Sequence, residues 1–173
     1  MIVRPEKYNF NISDEEYNEA RDSMPFNASK NDVLWAIYQK RQLKYWESGD
    51  LNACRFNYMC MYELMRKESN PPEAIKYLIM SLWCGQNDLI NTASTPEIVI
   101  TVLNKCDPIK SLNRYHIKYL CKHCEYIDYG LVWCKTIPMK MPSLDEDVFA
   151  KSIWNTVEYG ENTFSPQEIL QTQ

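Results

Sequence analysis

Along much of the chain apolar residues return every three or four positions, and prolines and capping side chains break the pattern into segments. From Val33 to Ser48, Leu34, Ile37, Tyr38, Arg41 and Tyr45 follow this spacing, while Trp35, Leu43 and Trp46 widen the apolar face. Gly49 suits the C-terminus of such a helix, and Asp50 is placed to cap the next one. That second helix, Leu51 to Lys67, carries Leu51, Cys54, Tyr58, Met61 and Met65, with Met59, Tyr62 and Leu64 adjoining. After a turn at Ser69-Asn70-Pro71-Pro72, a third helix is expected from Glu73 to about Cys84, with Ala74, Tyr77, Leu78, Ser81 and Leu82 facing inward. Links this short force neighbouring helices antiparallel.

Helix starts continue outside this region. Ser13-x-x-Glu16 has the form of a capping box, in an arm that Pro25 closes. Thr95-Pro96-Glu97, Asp107-Pro108 and Ser165-Pro166-Gln167-Glu168 each join a capping side chain to a proline at the first helical position. Ser143-x-x-Glu146 is another start. Glu97 to Leu103 has the β-branched density of a strand. Its Thr95-Pro96 start and the lack of a second strand to pair with favour a helix there. Ser111 to about Trp133 reads as one long helix or two, broken near Gly130, and Leu144 to Val157 as a further helix. The fold expected is all-α, a small bundle of antiparallel helical hairpins. It divides into an N-terminal arm with a short helix over 1–30, a single helical domain over 31–157, and a short helix and tail over 158–173.

Composition narrows the chemistry. The chain has 173 residues, of which 45% are hydrophobic, enough for one real core. Its four glycines, Gly49, Gly85, Gly130 and Gly160, lie too far apart for a glycine-rich phosphate loop. Two histidines, His116 and His123, leave few general bases. Met1-Ile-Val-Arg-Pro-Glu-Lys lacks the apolar run of an export signal, and the most apolar windows, Tyr77 to Cys84 and Ile98 to Leu103, are too short to span a bilayer. A soluble intracellular protein is expected, its seven cysteines reduced. Residues 1–30 carry a net charge of −2, 31–142 of +3 and 143–173 of −5, giving −4 overall. That balance falls well short of a dedicated nucleic-acid binder.

At Leu34-Trp35-Ala36-Ile37-Tyr38, Gly49-Asp50, Arg55, Met61 and the Ala74–Tyr77–Leu78 run, the chain resembles a family of uncharacterised helical proteins. They are encoded by phages, prophages and other mobile elements of Gram-positive bacteria. The family pattern is a Trp-rich helix, a Gly-Asp turn, an Arg-bearing helix with a central Met, and a third helix rich in Ala, Leu and Tyr. Ile137-Pro138-Met139 followed by Ser143 to Ile153 is similar to its C-terminal helix. Where that family has a glycine-containing turn, this chain has Glu68-Ser69-Asn70-Pro71-Pro72. Where the family ends its third helix in an acidic, glycine-bearing turn, this chain has Trp83-Cys84-Gly85-Gln86-Asn87-Asp88. Residues 31–86 also resemble a tetratricopeptide (TPR) hairpin, a fold used to bind other proteins. The resemblance implies a helical accessory protein and brings no assigned activity.

The densest cluster of metal-ligating residues is His116, Cys121, His123 and Cys124, with Cys106 and Cys134 nearby. On one helix the two histidines would stand about 10.5 Å apart along the axis, too far for a single zinc ion. No metal or cofactor is assigned. Lys110, Arg114, Lys118 and Lys122 recur every four residues, with Tyr115, Tyr119 and Tyr126 between them. Such a stripe can track phosphates and stack on bases, or form a protein-binding face, and these seven residues are the candidate interaction surface. A solvated face paired with Asp145-Glu146-Asp147 is the plainer reading. Asp14-Glu15-Glu16 and Asp145-Glu146-Asp147 sit at helix starts, where carboxylates favour the dipole, and no motif orients Cys121 or Cys124 toward His116. No catalytic residue is assigned. With 12 tyrosines and 8 methionines, the function expected is non-enzymatic binding of a host or phage protein, for instance an anti-CRISPR-like inhibitor of a bacterial defence system. The alternative is a nucleic-acid-binding accessory that uses the stripe at 110–122.

Overall fold

The computed structural model describes residues 11–90, 114–136 and 146–163. Among them are seven α-helices and no strand: α1 (Asp14–Asp22), α2 (Lys30–Ser48), α3 (Leu51–Lys67), α4 (Pro71–Ile90), α5 (Arg114–Lys122), α6 (Ile127–Thr136) and α7 (Glu146–Thr163). A 3-10 turn, Cys124–Tyr126, joins α5 to α6. The described part of the chain is all-α, as the apolar spacing predicts. The helix expected at Glu97 to Leu103, the starts at Thr95, Asp107, Ser143 and Ser165, and the tail beyond residue 163 lie outside the described residues.

Local chemistry accounts for the helix ends. Gly49 adopts φ 69°, the left-handed conformation a glycine tolerates best, and its N–H donates to the carbonyl of Trp46. The Asp50 carboxylate accepts from the Ala53 amide and starts α3. Helix α2 begins three residues earlier than the apolar pattern suggests, because Ser29 and Asp32 form a reciprocal capping box. At Ser13 only half of such a box is made. Its hydroxyl accepts from the Glu16 amide, while both Glu16 carboxylate oxygens accept from Arg41 of α2, at 3.1 and 2.7 Å. That bidentate pair ties α1 to the bundle. Between α3 and α4, Ser69 takes the left-handed position at φ 55°, so a serine does what a glycine would ordinarily do there. Pro71 and Pro72 are not part of the turn but open α4, where their missing amide hydrogens cost nothing.

Contacts across the hairpins fix their direction. Asn31 near the start of α2 donates to Glu68 beyond the end of α3, whereas Trp46 near the end of α2 donates to the Tyr58 hydroxyl at 2.9 Å. Ser81 of α4 donates to the Arg55 carbonyl, and Tyr77 stacks on Tyr58 with ring centroids 6.2 Å apart. Helices α2, α3 and α4 therefore alternate in direction. The interior of the α2–α3 pair holds a polar clasp: buried Asn57 donates to the Tyr38 carbonyl at 2.9 Å and to the Gln42 side chain at 2.8 Å. This corrects the expected face of α2, where Val33, Ile37 and Gln42 are buried while Leu43 is 61% exposed.

The core centres on α4. Every residue from Ala74 to Cys84 is buried, on all sides of the helix. Helix α3 covers one flank through Tyr58, Met61 and Tyr62, and α6 another through Leu131 and Cys134. Phe149 of α7 lies 5.3 Å from Trp83. Gly130 does not break the chain here, contrary to expectation. It lies within α6, where an added Cβ would come 2.8 Å from Ile79 Cδ1 and 3.2 Å from Ile75 Cγ2. Its missing side chain lets α6 approach α4 closely, and the helix break falls instead at His123–Tyr126.

Tyr77 is the hub of the aromatic packing. It meets Trp35 edge-on at 5.0 Å and Trp133 at 5.2 Å, besides stacking on Tyr58. Trp35 itself is only half-buried. Tyr77→Ala is therefore expected to cost about 4 kcal/mol, and Trp35→Ala only about 2 kcal/mol, since part of its surface already faces water. Urea unfolding of the two variants checks this order, and an equal or larger loss at Trp35 contradicts it.

Candidate interaction surface

Helix α5 and the turn after it carry most of the proposed stripe. Lys118 and Lys122 are exposed and one turn apart. Tyr115, Tyr119 and Tyr126 are half-buried, their rings turned toward the bundle. Tyr119 packs edge-on against Tyr62 at 5.3 Å, and the Arg66 guanidinium lies 5.1 Å above the Tyr115 ring. Lys110 and the Arg114 side chain lie outside the described residues, as do the Asp145-Glu146-Asp147 side chains proposed to face them. The structure thus brings Lys118 and Lys122 together at the surface. It gives the three tyrosines a packing role as well as an exposed edge.

Each of the two histidines packs against aromatic neighbours. His116 is buried and meets Tyr62 at 5.4 Å and Tyr115 at 5.8 Å. His123 begins the 3-10 turn, 4.6 Å from Tyr119 and 6.5 Å from Tyr126. Cys121 donates its thiol to the Val157 carbonyl of α7 at 3.6 Å. Among the described residues no group of three or more His, Cys, Asp or Glu converges on a point that could hold a metal ion. Cys106 lies outside the described residues. The six described cysteines are free thiols. Burial pushes the Cys54 thiol up to about 12 and raises that of Cys134 as well, which keeps both protonated and unreactive.

On α6 a different surface emerges. Tyr129 and Val132, one turn apart, are 49% and 63% exposed, and half-buried Trp133 lies beside them. Beneath them the Lys76 side chain leaves the core of α4, its ammonium 4.7 Å from the Tyr129 ring and 5.3 Å from Trp133. Glu73 accepts a hydrogen bond from it at 2.7 Å. Burial alone would lower the Lys76 pKa, but Glu73 and Tyr129 outweigh it and raise the net value above that of a free lysine. The charge is thereby kept at the rim of an otherwise apolar helix. Sequence reasoning missed Val132, because a single valine in a helical pattern is indistinguishable from a core position.

Two concavities flank α2. One, of 690 Å³, lies between α1 and α2 and is lined by Ile37, Lys40, Arg41, Lys44 and Tyr45 opposite Glu16 and Glu19. The other, of 570 Å³, lies between α2 and α3, with an apolar floor that includes Leu34, Tyr38, Phe56 and Met59. Neither was legible in the sequence, since each depends on which faces the two helices leave uncovered. No described helix is long and apolar enough to cross a membrane. Compared with known proteins, the chain matches no family model, no curated sequence and no solved structure.

His116 gives the region a measurable pH dependence. Desolvation lowers its pKa from 6.5 to about 4, with Glu63 opposing and Arg66 assisting. Between those values the unfolded chain binds a proton that the folded chain does not, so stability rises with pH across the window and is complete above about 6.5. The slope contributed is at most ~1.4 kcal/mol per pH unit, about 3 kcal/mol in all. His116→Phe keeps the ring and removes the proton. Chemical unfolding of the two proteins between pH 4 and 7 should show the variant losing less stability as the pH falls. Parallel profiles contradict a buried neutral imidazole.

Proposed function

We propose that this protein acts without catalysis, by binding another protein through the apolar face of α6. The observation that carries this reading is Tyr129 and Val132, side by side and largely exposed next to Trp133 and the Lys76 cation. Aromatic and aliphatic side chains held rigidly on a helix bury large area at low entropic cost, which is what the centre of a protein interface requires. The resemblance at Leu34–Tyr38, Gly49-Asp50 and Ala74–Tyr77–Leu78 supports an accessory protein of a phage or mobile element of Gram-positive bacteria. Its partner is then a host or phage protein met in the bacterial cytoplasm. Inhibition of a bacterial defence system, in the manner of anti-CRISPR proteins, is one form such binding takes.

A second reading rests on a specific feature, the exposed Lys118 and Lys122 one turn apart on α5. They favour contact with the phosphates of a nucleic acid, with the edges of Tyr115 and Tyr119 close by. One comparison separates the two. In affinity capture from a Gram-positive host lysate, the chain is expected to retain a protein partner, and Val132→Glu to weaken retention about tenfold, equivalent to ~1.4 kcal/mol. The Lys118→Glu/Lys122→Glu double variant should retain it. Loss of capture on charge reversal at Lys118 and Lys122, with DNA or RNA binding that falls steeply as salt is added, supports the nucleic-acid reading instead. Turnover of a small molecule by the purified chain contradicts both.

A further inference from the structure

We propose that α1 is an autoinhibitory strap: it opens as a unit about the link at 23–29 and uncovers a helix-binding face on α2, a site that does not rest on the apolar face of α6. Helix α1 is nine residues long and buries none of its side chains. Glu16, Tyr17 and Ala20 are half-buried, and its other residues are exposed. Arg41 grips its first turn, donating to both Glu16 carboxylate oxygens and, at 3.0 Å, to the Asn11 carbonyl. The link from Ser23 to Ser29 contains no buried residue, and Phe26 within it is fully exposed. Release would not unravel α2, because the Ser29–Asp32 capping box starts that helix without help from α1. Once detached, α1 falls below the ~12–15 residues at which a helix is even marginal in water, so opening and local unfolding coincide.

The strap shows what its own seat accepts. Ala36, Ile37, Lys40, Arg41 and Lys44 of α2 line the 690 Å³ concavity beneath α1. Ile37 is a buried apolar floor, while Lys40 and Lys44 are exposed at the rim. The carboxylates that line the concavity, Glu16 and Glu19, both belong to α1 and leave with it. Uncovered, the lining carries three cations, with Glu47 and Asp50 lying beyond its far end. Helix α1 also fills the seat incompletely. It runs antiparallel to α2, so with Glu16 at Arg41, Ala20 one turn on lies level with Ile37 one turn back. Alanine is short, and the concavity remains beside it. A helix with a carboxylate in the place of Glu16 and a larger apolar side chain in the place of Ala20 makes the same ion pair and fills more of the space. The occupant that displaces the strap is therefore an acidic amphipathic helix of a partner protein, and α1 is its resident stand-in.

The test uses the full chain. Hydrogen exchange read by mass spectrometry should show α1 opening while α4 stays closed. Glu16→Lys and Arg41→Glu should each speed exchange in α1 about tenfold and leave α4 unchanged. The double variant Glu16→Lys/Arg41→Glu should regain most of the protection, since the ion pair re-forms with its charges exchanged. The probe for the uncovered face is a fluorescein-labelled synthetic peptide that copies residues 11–24 with the change Ala20→Leu. In fluorescence anisotropy it should bind the Glu16→Lys chain, whose own strap is repelled, about tenfold more tightly than the unaltered chain. The Arg41→Glu chain is equally open but has its anchor reversed, and should show no such gain. Val132→Glu should change none of these results. Exchange of α1 only together with α4, protection in α1 that survives both single reversals, or equal peptide binding by the unaltered and Glu16→Lys chains overturns the proposal. So does a dimer in sedimentation that Arg41→Glu dissolves, because α1 then lies on a second copy.

Discussion

The structure depends on the complete burial of α4 from Ala74 to Cys84. A helix covered on every side has no solvent-facing stripe, and the eleven residues from Ala74 to Cys84 accordingly contain only two polar side chains, Lys76 and Ser81. Ser81 gives its hydroxyl hydrogen to the Arg55 carbonyl of α3. Lys76 carries its charge out along its methylene stem to Glu73 and the rings of Tyr129 and Trp133. Each exception is therefore satisfied at a neighbouring helix, and each also locates that neighbour. The absent side chain of Gly130 completes the arrangement by letting α6 close on Ile75 and Ile79.

Around this axis the other helices need bury only one face, and what they leave uncovered is set by geometry. Helix α2 touches α1, α3 and, through Trp35, the hub residue Tyr77 of α4. Two concavities remain on either side of it. Helix α6 buries Ile127, Leu131 and Cys134 and leaves Tyr129 and Val132 outside. The apolar surface that remains lies on helices whose backs are fixed to a packed core, so binding it would cost little ordering of the protein itself.

Much of the fold was legible because helix signals are local. The apolar spacing in α3 and α4, the Gly49 and Asp50 caps and the capping role of Ser13 depend on residues a few positions apart, and they appear in the structure as read. What depended on distant partners was not legible. Glu16 has the spacing of a capping box but serves Arg41, 25 residues away. Gly130 looks like a helix breaker, yet a close contact with α4 explains it. Leu43 fits the apolar face of α2, but the Asn57–Gln42 clasp rotates the buried side toward Gln42. The surface features follow the same rule. Lys118 and Lys122 were visible as a spacing, while the α2–α3 groove and the exposed Val132 required knowing which faces meet.

The most direct test of the central helix is native-state amide hydrogen exchange. If α4 is the buried axis, the amides of Ile75 to Cys84 exchange only through global unfolding, while those of α1, which buries no side chain, exchange orders of magnitude faster. Exchange in α4 as fast as in α1 would contradict an account in which α3 and α6 are placed by packing against it.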